Sequence, residues 1–157
     1  MDDLALARAL HVLAVVHWIG GVALVTAVIL PAVARLADPA HRNETFEEIE
    51  GRFSVQAKIS VTLAGLSGFY MTHRLDAWDR FADPQFWWMH AMVLVWGIFT
   101  FVLFVAEPLF LHAWFRRRAA RDPDGTFALI LRAHWILLTL SAVTIAGAVL
   151  GSHGALF

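Results

Sequence analysis

The chain has 157 residues, 59% of them hydrophobic and 16% charged, with a formal net charge of −1 and no cysteine. A soluble domain of this length cannot hide that much apolar surface, and no nucleic-acid partner is expected. Without cysteine there are no disulfides, thiolate metal sites, iron–sulfur clusters or covalently attached c-type haem, so a soft or borderline metal has to rely on histidine and methionine.

A helix that crosses the roughly 30 Å hydrocarbon layer needs about 20 apolar residues. The start, MDDLALARAL, is acidic where a cleaved signal peptide is basic, and Gly20-Gly21 is not a small-x-small cleavage site, so the first helix is expected to be retained. Residues 9 to 34 carry no Asp, Glu, Lys or Arg, which predicts a helix over about 4–36. Asp38-Pro39 then breaks the chain, and Thr45-x-x-Glu48 has the spacing of a capping box, which predicts a short amphipathic helix at the surface.

The second span is the shortest, because only residues 59 to 73 are free of charge. Lys58 can lift its ammonium to the interface, so a helix over 53–74 still reaches across. The polar connection LDAWDRFADP follows, with Trp78, Phe81, Trp87 and Trp88 placed as an interfacial aromatic belt. Residues 84 to 106 are again free of charge, in a helix predicted over 84–117, and Pro108 is expected to kink it where Glu107 pairs with Arg132 or relays a proton. Trp114 and Trp135 mark the opposite interface, and residues 133 to 157 are charge-free, giving a last helix over 126–152.

The expected fold is all-α and integral to the membrane: one domain, a bundle of four transmembrane helices over residues 1–157. Arg8, Arg74 and Arg80 fall on the side of the termini, and the other nine basic residues, among them Arg116-Arg117-Arg118, fall opposite. The positive-inside rule therefore predicts both termini outside, in a multi-pass protein of the cytoplasmic (inner) membrane. The lipid bilayer is the first expected partner, and association with further copies of the chain stays open.

Eight histidines are many for so apolar a chain. At a rise of about 1.5 Å per residue, His11 lies near the outer end of the first helix and His17 about 9 Å deeper. His73, His90 and His153 reach the same face on the other three helices, while His112 and His134 lie on the cytoplasmic side. Imidazoles on separate helices at matching depth suit a flat cofactor or a metal clamped within a bundle. Beside His90, Gly97 at i+7 and Phe101 at i+11 share its face, which predicts open space with an aromatic wall. Met71, Met89 and Met92 lie in the same layer, and thioethers with imidazoles also make a Cu(I) site.

The segment ALHVLAVVHWIGG with Pro31 beyond it resembles the first helix of the HemJ-type protoporphyrinogen oxidases and of the related CopD-like membrane domains. FWWMHAMVL resembles the Trp-x-His-x-Lys entry to helix 3 of the HemJ group, and VTLAGLSGFYM its glycine-bearing second helix, so the likeness covers three of the four helices. It implies a b-type haem in a four-helix unit, with His11 as an axial ligand and His90 on the matching helix 3 motif. Met92 stands where that motif has lysine and cannot donate a proton, which weighs against protoporphyrinogen oxidation and leaves haem binding intact.

The leading expectation is therefore an electron-transfer cytochrome with haem b held between His11 and His90, serving a quinol or a periplasmic redox partner. His17, His73 and His153 are the alternate ligands, and a second haem between His112 and His134 is the further variant. A haem-dependent oxidoreductase of the HemJ kind and a CopD-like copper binder or transporter are the competing readings. No catalytic residue is singled out.

Overall fold

Asp2 opens the first helix by accepting the Leu4 backbone N–H at 3.1 Å, as a capping side chain does. In the computed structural model, which describes residues 2–36, 38 and 41–155, this helix, α1, runs Asp3–Leu36. It is followed by α2 (Arg42–Arg74), α3 (Pro84–Ala119) and α4 (Pro123–Ser152). The start of α4 carries Pro123 in its first turn and Asp122 as a cap that accepts the Gly125 N–H.

Three of these helices, α1, α3 and α4, are long and apolar enough to cross a membrane, and only 28%, 28% and 22% of their most apolar stretches are buried. Their greasy surface faces outward, the reverse of what water would select. The second helix is not among the three.

The expected short surface helix does not form separately. The residues of the Thr45-x-x-Glu48 box lie within α2, which continues without a break for 33 residues. Its first turns are held by packing, because Phe46 is buried with Val33, Phe127 and Ile130. Pro39 lies outside the described residues.

Both internal prolines are associated with widened helix. Val25–Ile29 is π-helical just before Pro31, and Val102–Leu111 is π-helical around Pro108. A proline ring collides with the carbonyl four residues back and supplies no N–H, and a wider turn accommodates both defects.

Contacts at the two ends fix the directions of the helices. Arg74, closing α2, pairs with Asp3 at the start of α1 at 2.9 Å, so these two run antiparallel. Arg42 at the start of α2 meets Asp124 at the start of α4 at 2.9 Å, so those two run parallel. Glycines seat indoles where the helices approach most closely. A β-carbon on Gly65, Gly147 or Gly151 would run into Trp96, Trp87 or Trp88 respectively. The middle of the bundle is closed by Trp18, Val61, Ala64, Val95 and Phe99, with the Trp18 and Phe99 rings edge to face at 4.8 Å.

Candidate functional site

His11 is held by α2. Its Nδ1 lies 2.9 Å from the Ala64 carbonyl and 3.1 Å from the Ser67 hydroxyl, and Ser67 donates its own proton to the Leu63 carbonyl. A carbonyl can only accept, so Nδ1 carries the proton and Nε2 keeps its lone pair. A carbonyl behind Nδ1 is the usual support of a metal-ligating histidine. Gly68 makes the approach possible, since a β-carbon there would press on the His11 ring.

The imidazole lines a cavity of about 680 Å³ walled by all four helices at the end of the bundle that holds the start of α1 and the close of α4. That volume is in the range of cofactor sites. Arg8, His11, Val15 and Ile19 recur at the helical spacing that puts them on one face of α1. Met71 on α2 and Met89 and Met92 on α3 also line it. The wall is mainly apolar, and its polar side chains from α4 are turned inward on their own helix: Ser141 and Thr144 donate to the Leu137 and Leu140 carbonyls, each at 2.8 Å, and Ser152 to the Val149 carbonyl at 3.0 Å. Trp96 donates to the Val61 carbonyl at 2.9 Å. The Trp18 indole N–H is buried at this wall with no acceptor among the described residues.

The cavity does not take His90. That residue is exposed, its Nε2 donates to the Phe81 carbonyl at 3.0 Å, and its ring stands edge-on to Phe81 at 5.4 Å. Gly97 and Phe101, expected to wall a pocket beside it, are not among the residues that line this cavity. Gly97 does have open space, and Phe101 is 54% exposed. The rotation of α3 turns Met89, Met92 and Trp96 inward instead, and a connecting loop captures the His90 ring.

The other histidines are dispersed. His17 is exposed and bonds the Ser60 hydroxyl through Nδ1 at 2.8 Å. His73 is exposed at the end of α2, and His153 caps α4 by donating to the Val149 carbonyl at 2.8 Å. His134 donates to the Ile130 carbonyl at 2.9 Å and meets Phe46 edge-on, while His112 lies 3.7 Å from Glu107, so the two do not share a partner. Among the described residues no three His, Asp or Glu side chains gather to hold a metal ion.

A polar cluster lies at the other end of the bundle. Glu107 accepts from the Ser54 hydroxyl on both oxygens, at 2.7 and 2.8 Å, with Lys58 at 3.4 Å. The expected pairing with Arg132 is replaced by these groups of α2, since the widened turn around Pro108 sits against that helix. Glu50 nearby is pushed up to about 7, first by burial and then by the charge of Glu107.

Arg8 and Arg80 also line the cavity, though neither is among the site residues expected from the sequence. Arg8 had a usable signal, three residues before His11 and therefore on its face. Arg80 had none, being delivered by the short helical turn Asp79–Ala82 between α2 and α3. No family model, curated protein or solved structure matches this chain.

Proposed function

We propose that the protein is a multi-pass inner-membrane redox protein that holds a b-type haem in the cavity beside His11. The observation that carries the reading is the half-buried imidazole with Nδ1 committed to a carbonyl and a free Nε2, set in an apolar cavity of about 680 Å³. The residues fit the group. Apolar walls suit the macrocycle, and the space beside Gly20, which lines the cavity and would let a β-carbon meet nothing within 4 Å, leaves room for its edge. Bound haem would supply one-electron chemistry, exchanged with a quinol or a partner on the outer face.

His11 would then hold the group through its imidazole, and the thioethers of Met89 and Met92 are the candidates for a second protein ligand in place of His90. Met71, Met89 and Met92 together with His11 favour a second reading, a CopD-like copper site of imidazole and thioethers. In either case we take α2 as the fourth span, and the count of basic residues supports termini that face outward.

The test is the optical spectrum of the purified protein with haem and metal quantitation. Wild type is expected to show reduced-minus-oxidised Soret and α bands. His11→Ala should lose the haem or become five-coordinate, and His90→Ala should leave the spectrum unchanged. A colourless protein that carries copper would put the second reading first. A low-spin spectrum that survives His11→Ala would overturn the assignment of the ligand.

A further inference from the structure

Arg8 and Arg80 are the cationic side chains of the cavity wall, and among the described residues neither forms an ion pair. Their neighbour Arg74 is already committed to Asp3. Arg8 stands one turn outward from His11 on the same face of α1, a rise of about 4.5 Å. Arg80 comes from the connection between α2 and α3, with its guanidinium 5.3 Å above the Phe86 ring, a contact that limits the rotamers it can sample. Deeper in, the wall carries no other Lys or Arg. The cavity is thus amphiphilic along its length: two cations at the mouth, then an imidazole, then apolar side chains.

We propose that Arg8 and Arg80 receive the two carboxylates of the porphyrin, so that the cofactor seats with its acidic edge at the mouth and its apolar edge toward Ile19 and Val95. This inference rests on the haem reading above. A guanidinium fork matches a carboxylate in two parallel hydrogen bonds, and such charge-assisted bonds are about twice as strong as neutral ones. The reverse orientation would press two carboxylates against aliphatic side chains with no cation in reach, and unpaired charge in an apolar site is strongly penalised. One edge of the ring is therefore selected, and with it the side of the bundle at which electrons are exchanged. Arg8 and Arg80 are positioning residues, because they orient the ring without touching its centre.

Detergent-purified apoprotein titrated with haem and with haem dimethyl ester, whose carboxylates are capped, separates the contributions, with Soret absorbance as the readout. Wild type is expected to bind haem at least about tenfold more tightly than the ester, the scale of one charge-assisted bond. Arg8→Gln and Arg80→Gln should each weaken haem binding and leave ester binding in place, and Arg8→Lys should recover part of the difference. Equal affinity of wild type for haem and ester would overturn the inference while the haem reading stood, as would an equal weakening of both ligands by the glutamine variants. The comparison on wild type needs no variant to fold. Failure of wild type to bind either porphyrin would sink the haem reading itself, and this inference with it.

Discussion

Gly20 and Gly97 are alike in one respect, since a β-carbon on either would meet nothing within 4 Å, but only Gly20 lines the cavity. Space beside a glycine is functional only where the bundle encloses it. Gly20→Phe is therefore expected to fill the cavity and abolish cofactor loading with the helical circular dichroism unchanged, whereas Gly97→Phe, on α3 away from the cavity, should load normally. Haem content per folded protein measures both, and normal loading of Gly20→Phe would mean that the cofactor lies elsewhere. The place of His11 near the end of an apolar helix is legible in the sequence. That the His90 ring turns to the connecting loop is not legible there, because the atom that holds it is a backbone carbonyl of Phe81, and carbonyls are the same in every residue.

Among the elements, α2 departs furthest from its sequence pattern. Its charge-free stretch covers only residues 59 to 73, yet the helix extends over Arg42–Arg74, because its first turns bury Phe46 and bring Ser54 and Lys58 to Glu107. Glu50 lies on that extension, ahead of the residues 53–74 expected to span, and is pushed up to about 7 by burial and by Glu107. The charges facing it are Glu107, His112, Glu47 and Lys58.

A carboxyl raised in the folded state binds more protons there than in the unfolded chain. Its contribution to stability is therefore complete below the ordinary glutamate value of 4.5 and is lost as pH rises through about 7. Thermal denaturation in detergent should show wild type losing stability relative to Glu50→Gln between those limits, on the order of 3 kcal/mol at the upper end. Parallel pH profiles for the two proteins would show that Glu50 titrates alike in the folded and unfolded chain. The π-helical turns had a partial signal in Pro31 and Pro108. Sequence gives the position of the defect, but whether the helix bends or widens depends on the helix packed against it.

For the whole molecule, orientation is the expectation most open to direct test. With three basic residues on the side of the termini and nine on the other, a C-terminal alkaline phosphatase fusion should be active and a C-terminal fluorescent protein dark. The reverse pattern would put the cavity on the cytoplasmic side and remove an outer-face partner from the proposal.

The sequence by itself determines that the chain is helical, where its long apolar helices lie, and, having no cysteine, that a soft or borderline metal has to rely on histidine or methionine. These properties follow from hydropathy summed over 20 residues and from composition, and neither depends on which way a side chain points. Tertiary structure decides which histidine meets a cavity and which arginines stand at its mouth. Each residue turns a helix by about 100°, so a single widened turn is enough to rephase a face. Depth along an apolar helix is therefore legible in one dimension, while its rotation is set by tertiary contacts such as the close seating of Gly65, Gly147 and Gly151 against indoles of α3.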